Sequence, residues 1–272
     1  MKSTKTIGIL GCGWLGKPLA VQLIQNGHMV KGSVRSKEKI QELDNLGVIS
    51  YLIEIGKDSK EGKLKAFLNG LDVLIISIPP KFKKGEEDLY VGLQSLFKFY
   101  DFSKIEKLIY ISSTGVFEDG VNNLYTEESR PNNTTERGQY LIKLEELIFA
   151  ESCISDKSIL RLGGLIQHEG RHPIYYLAGK KNVLHPDAPV NLIEQADAVN
   201  LLCNAIALEE SMPSVMHGVN PEHPSRRHYY TQKALGLGLQ PPEFNEEGTS
   251  LGKSISSEMT SKALNFKYKR GI

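Results

Sequence analysis

The chain has 272 residues, with 33 Lys and Arg against 32 Asp and Glu for a formal net charge of +1. That length buries a full core without covalent staples, and the near-neutral charge offers no footprint for nucleic acid or an anionic membrane. Cys12, Cys153 and Cys203 stand far apart, which argues against a disulfide framework or zinc ribbon, and no apolar run reaches the roughly 18 residues of a membrane span. In chain order, 6–10 reads as a strand closed by Gly11 and 18–25 as a helix ended by Asn26 and Gly27. Strands follow at 28–34, 48–53, 72–78 and 107–112, alternating with helices at 36–46, 60–68 and 88–100. The strands are apolar without alternation, as strands covered on both faces are. Residues 118–137 are polar and turn-rich, a loop by composition, before a helix at 138–150 and a strand at 158–162.

Strict alternation of strand and helix predicts an α/β fold, a Rossmann-type doubly wound parallel sheet. A dinucleotide-binding domain is expected over 1–165, with 186–220 returning to the sheet. A smaller substrate-binding region is expected over 166–185 and 221–272. The apolar stretch from Ile7 to Leu10 is too short for a leader. A reducing cytoplasm is therefore the expected compartment, and the glycosylation sequon at Asn133 is read as accidental.

The strongest motif is Gly11-Cys12-Gly13-Trp14-Leu15-Gly16, a full G-x-G-x-x-G after a strand and opening a helix. The first Gly permits the tight turn, the second lets backbone approach a pyrophosphate, and the third lets helix and strand pack closely. The helix N-terminus then offers amides and a partial positive charge to the phosphates. At the end of the second strand an NAD site usually carries an acid; here stand Ser33, Arg35 and Ser36. Those residue types suit a 2′-phosphate, so NADP is expected, with NAD as the alternative. Ile78, Pro79 and Pro80 end the fourth strand, either as a stiff wall beside the ribose or as an ordinary strand stop.

These pieces, followed by Ile109-Tyr110-Ile111-Ser112-Ser113-Thr114-Gly115-Val116-Phe117 and by Arg161-Leu162-Gly163-Gly164, resemble the short-chain dehydrogenase/reductase superfamily. The likeness is to its atypical and extended branches, the NAD(P)-dependent epimerase/dehydratase group, and it spans nearly the whole chain. It implies an enzyme acting on a hydroxyl or carbonyl compound such as a nucleotide sugar, with a homodimer as the common assembly. Ser113 matches the family's catalytic Ser/Thr position, and Thr114 is its neighbour. The family's Tyr-x-x-x-Lys pair is not intact: Tyr140 and Lys143 are three apart, and alignment on Glu145 or Glu146 puts Arg137 or Gly138 where the Tyr belongs. A displaced catalytic pair and an amphipathic helix with a half-buried Tyr both remain open. Dinucleotide sensors of the atypical branch lack this pair, so an NADP-binding regulatory protein is the alternative function.

His168-Glu169-Gly170-Arg171-His172 matches H-E-x-x-H, but the glycines and Pro173 make the required helix a poor fit, and no metal is expected. The resemblance instead makes Arg171 and His172 substrate-pocket candidates. Asp197 reads as a first-turn acid of a helix.

Overall fold

The computed structural model describes residues 4–56, 61–80, 88–121 and 123–272. The elements run β1 (Thr6–Leu10), α1 (Gly16–Gln25), β2 (Met29–Val34), α2 (Glu38–Asp44), β3 (Ile49–Leu52), α3 (Glu61–Leu68), β4 (Val73–Ile76), α4 (Asp88–Phe99) and β5 (Lys107–Ser113). A 3-10 turn (Thr114–Val116), β6 (Asn123–Tyr125), α5 (Glu136–Ala150), β7 (Asp156–Leu162), β8 (Gly164–Ile166) and α6 (Ile174–Leu177) follow. The chain closes with β9 (Leu192–Glu194), α7 (Gln195–Ala207), β10 (Val215–Gly218), α8 (Arg226–Gly236), β11 (Lys253–Ile255) and α9 (Glu258–Ala263).

A seven-stranded parallel sheet has the order β10-β7-β5-β4-β1-β2-β3, the doubly wound Rossmann arrangement. β1 pairs with β2 on one side and β4 on the other, Ile7 lying opposite both Val30 and Val73. Strand order therefore reverses beside β1, and such a switch point opens a crevice at the strands' carboxyl ends. Ile7, Ile9 and the whole of β4 are fully buried, which is what an apolar run without alternation requires.

Backbone contacts divide the chain into two compact units. The first comprises Met1–Ser112, Gln139–Leu160 and Val199–Ser214. Its core joins Leu10, Phe67, Leu74, Leu93, Tyr110, Leu144 and Ile148. The C-terminal carbonyls of α3 are met by Lys31, whose amine donates to the carbonyls of Ala66, Phe67 and Asn69.

The second unit comprises Ser113–Gly138, Arg161–Ala198 and Val215–Ile272. Its apolar cluster holds Ile166, Ile174, Val190, Leu192, Tyr229 and Tyr230. Two parallel pairs, β8 with β9 and β6 with β11, are only three residues long. Polar side chains add to such short ladders. The Asn191 amide donates to the Lys253 carbonyl at 2.7 Å and accepts the Ile255 N–H at 3.0 Å. Buried Asp197 stands in the first turn of α7, and its carboxylate accepts the backbone N–H groups of Lys269 and Arg270.

Several local expectations need correction. The stretch read as loop, 118–137, contains β6 and the start of α5 at Glu136. β6 is invisible locally because its partner strand lies some 130 positions on. The fourth strand ends at Ile76 rather than residue 78, although the Ser77 N–H still donates to the Leu10 carbonyl at 2.8 Å. The expected helix start at Lys60, and Asn122 within the expected loop, lie outside the described residues.

Candidate functional site

The turn after β1 uses each of its three glycines differently. Gly11 has φ +97°, and a Cβ there would lie 2.7 Å from the Ser77 carbonyl oxygen and 2.9 Å from Ile78 Cγ1. A Cβ on Gly16 would lie 2.9 Å from the Gly11 carbonyl oxygen and 3.1 Å from Ile9 Cγ2. A Cβ on Gly13 would meet nothing within 4 Å. The first two glycines are demanded by the protein itself, whereas Gly13 faces open space that a side chain would fill. Leu15, the N-cap of α1, makes no side-chain cap, so the helix start keeps the amide-rich end that suits an anion.

Ser33 braces this turn. It is buried, its Oγ accepts the Gly11 N–H at 2.8 Å, and its carbonyl accepts the Cys12 N–H at 2.7 Å. Cys12 and Leu15 are buried and Trp14 is half-buried. Burial pushes the Cys12 thiol up to about 12, which suits packing rather than nucleophilic chemistry. Beyond β2, Arg35 is exposed and Ser36 half-buried. The exposed Glu38 carboxyl is held below its usual range by its own backbone amide and then by the Ser36 side chain. Lys17 is paired with Glu42 on α2. Ile78 is half-buried beside Gly11, with Pro79 exposed and Pro80 half-buried after it.

On α5, the Tyr140 hydroxyl accepts the Tyr90 backbone N–H at 3.2 Å, and the Lys143 amine sits 4.2 Å from the centre of the Tyr90 ring. Both side chains thus engage α4. Four residues apart on this helix stand Arg137, exposed, Leu141, buried, and Glu145, buried. Glu145 accepts the Ser112 hydroxyl at 2.6 Å. The Tyr110 hydroxyl is fully buried, and that burial, then Glu145 and Tyr140, raises its pKa.

In the second unit, Ser113 caps the 3-10 turn, its Oγ accepting the Gly115 N–H at 3.1 Å, and Thr114 is buried. The Asn133 amide donates to the carbonyls of Gly115 at 2.9 Å and Phe117 at 3.2 Å, and its Oδ1 accepts from Thr135. Composition gave no signal for this clamp, which also occupies the sequon's asparagine. Arg171 is exposed, and its carbonyl accepts the Gln167 N–H at 2.8 Å. His172 is buried, with Nε2 at 2.8 Å from the Tyr229 hydroxyl and Nδ1 accepting the Ile174 N–H at 3.0 Å. Burial, then Lys233 and His168, pushes it down to about 4. The segment from His168 to His172 is a loop between β8 and α6, so its two histidines share no helix face. Among the described residues, no group of three or more His, Cys, Asp or Glu could hold a metal ion, and no helix is long and apolar enough to cross a membrane.

Residues 6–85 match the profile of a family described as NADP oxidoreductase coenzyme F420-dependent. The Escherichia coli K12 protein YeeZ is 33% identical over 276 residues, covering 97% of this chain and 96% of that one. A UDP-glucuronic acid 4-epimerase from Bacillus cereus, solved with UDP-glucuronic acid and NAD, superposes with a TM-score of 0.79 at 15% identity, covering 98% and 95%. A short-chain dehydrogenase/reductase superfamily protein from Agrobacterium tumefaciens with bound NAD gives 0.78 at 13% identity, covering 98% and 93%. A functionally unknown conserved protein from Silicibacter pomeroyi gives 0.79 at 20% identity, covering 98% and 94%.

Proposed function

Because this chain belongs to the family of Escherichia coli YeeZ, we propose that it is an epimerase/dehydratase-like member of the short-chain dehydrogenase/reductase superfamily that binds NADP(H) and acts as an oxidoreductase or epimerase/dehydratase on a hydroxyl or carbonyl compound. The observation that carries this reading is the turn at Gly11–Gly16: two of its glycines are fixed by protein packing, and the third is held open beside an uncapped helix start. Bound NADP(H) supplies the hydride chemistry. The chain's own part is to hold and orient. Gly13 and the first amides of α1 take the pyrophosphate. Exposed Arg35 with Ser36 takes the 2′-phosphate. Ile78 and Pro79 wall the ribose side.

In this reading Ser113, with Thr114 beside it, orients the substrate oxygen, and Tyr140 or a water supplies the proton, with Lys143 as its neighbour. Arg171 and His172 belong to the substrate region, His172 by shaping it from a buried position. A nucleotide sugar is the favoured substrate class, by analogy with the sugar nucleotide in the Bacillus cereus epimerase. The expected setting is cytoplasmic and the expected assembly a homodimer.

Titrating the protein with NADPH and separately with NADH, by nicotinamide fluorescence, tests the cofactor reading. The expected result is tighter NADPH binding that weakens about tenfold in Arg35→Ala, the loss of one charge-assisted contact, with NADH unaffected. Preference for NADH overturns the 2′-phosphate assignment, and binding of neither overturns the whole reading.

A second reading, a dinucleotide sensor without catalysis, is favoured by one observation. Tyr140 and Lys143 both engage Tyr90, and buried Leu141 stands four residues after Arg137 where a dyad lysine would be. Single-turnover reduction of bound NADP+ by a panel of UDP-sugars, hydride passing from a sugar carbinol carbon to the nicotinamide as its hydroxyl proton is released, separates the two: turnover abolished by Ser113→Ala favours the enzyme, and binding without turnover favours the sensor.

A further inference from the structure

The second unit buries a cluster of ionisable groups that no part of the proposed chemistry uses. His217 on β10 is fully buried and Glu127, after β6, is 7% exposed. Both reach the same C-terminal segment. Glu127 Oε1 accepts the Thr260 N–H at 2.8 Å and the Thr260 hydroxyl at 2.7 Å. The His217 backbone N–H donates to Thr260 Oγ1 at 2.8 Å, and its ring Nδ1 lies 2.8 Å from the Ser256 carbonyl. A carbonyl only accepts, so Nδ1 carries the hydrogen, and Nε2 of the neutral ring is a bare acceptor.

Among the described residues neither His217 Nε2 nor Glu127 Oε2 has a hydrogen-bond partner, although both atoms are buried. A buried acceptor left unmade costs stability, so a proton taken up here has two unpaired acceptors waiting for it. Opposing uptake is the charge around it. The Arg161 guanidinium from β7 lies 5.1 Å from the centre of the Phe117 ring, the same ring that His217 meets edge-on at 5.7 Å. Burial holds His217 below its ordinary range; Glu127 pulls the other way and Arg161 adds to the lowering. The Tyr268 hydroxyl, itself pushed up to about 12 by burial, also feels Glu127 and Asp197. α9 faces the couple with the Thr260 hydroxyl.

We propose that His217 and Glu127 form one proton-binding couple that latches the segment 256–266 onto its unit, and that loading the couple with a proton loosens the latch. Either site of protonation has this effect. A proton on Glu127 turns two charge-assisted bonds to Thr260 into weaker neutral ones, and a proton on His217 sets a second cation beside Arg161. Ser257, donating to the Val219 carbonyl at 2.6 Å, and the buried Leu264 and Phe266 side chains are further holds on the same segment, so loosening is partial and local.

Amide hydrogen exchange on the full-length protein, corrected for the intrinsic pH dependence, tests this. Between pH 7 and pH 4.5 the protection of 256–266 should fall at least about tenfold more than that of the strands β1 and β4. His217→Asn keeps a donor for the Ser256 carbonyl but does not titrate, and should reduce that change to under about threefold. Equal protection at both pH values, or the same response in the variant, overturns the latch. If His217→Asn does not fold, nitrogen-15 histidine NMR of the unaltered chain decides. The Nδ1–H tautomer at pH 7, with a ring titration displaced in Glu127→Gln, supports the couple. An Nε2–H tautomer, or a titration unmoved by Glu127→Gln, refutes it.

Discussion

Replacing Gly13 by Ala should leave the fold intact while weakening dinucleotide binding. A Cβ at Gly13 meets no atom within 4 Å, and its φ lies outside the left-handed range. The substitution should therefore change stability by at most about 0.5–1 kcal/mol, and in the stabilising direction if the unfolded chain loses freedom. The same methyl lies where a pyrophosphate must approach backbone, so affinity should fall tenfold or more, about 1.4 kcal/mol or above. Gly11→Ala is the contrasting case. It forces a side chain onto φ +97° and within 2.7 Å of the Ser77 carbonyl oxygen, so the fold itself should lose about 1–3 kcal/mol. Urea unfolding monitored by circular dichroism gives the stability of both variants, and nicotinamide fluorescence gives NADPH affinity. A Gly13→Ala protein that binds NADPH as tightly as the parent refutes the assignment of that open space to phosphate. One that unfolds early refutes the claim that nothing in the protein occupies it.

Other outcomes follow from the same structure. Ser33→Ala removes the acceptor of the Gly11 N–H and should cost about 1–3 kcal/mol together with weaker NADPH binding; unchanged affinity would show that the turn holds itself. His172 falls from its ordinary 6.5 to about 4 when folded, so the unfolded chain binds the extra proton. Its contribution is therefore present above pH 6.5 and lost as pH falls toward 4, by about 3 kcal/mol at most. The urea midpoint should drop between pH 7 and pH 4.5, less steeply in His172→Gln; parallel profiles would remove His172 as a cause. Buried Lys107 donates to the Leu208 carbonyl at 2.6 Å and sits 3.5 Å from the Asp156 carboxylate. Lys107→Met strands both partners and should cost about 2–4 kcal/mol in urea unfolding, and a loss under 1 kcal/mol would show that water replaces the amine.

The alternation of apolar strands with helices up to β5, and the glycine motif between β1 and α1, are written in local sequence. Continuous apolar runs have one stable use in such a chain, as strands covered on both faces, and a turn with three glycines at that spacing closes without help from distant residues. β1 accordingly falls on the residues its pattern marks, and Gly11 and Gly16 meet the close contacts their types anticipate. What tertiary structure alone decided is every feature whose partner lies far along the chain. Ser33 reads as a residue for a phosphate, and its hydroxyl is tied as an acceptor to the Gly11 N–H, 22 positions away. Tyr140 and Lys143 are neighbours in sequence, but Tyr90, 50 positions before Tyr140, determines where they point. β6 and β11 become strands only through each other, and Glu127 meets Thr260 across 133 positions. Periodicity and turn chemistry record the free energy of a segment against water and its own backbone, whereas these polar pairings depend on which distant group the folded chain brings within about 3 Å.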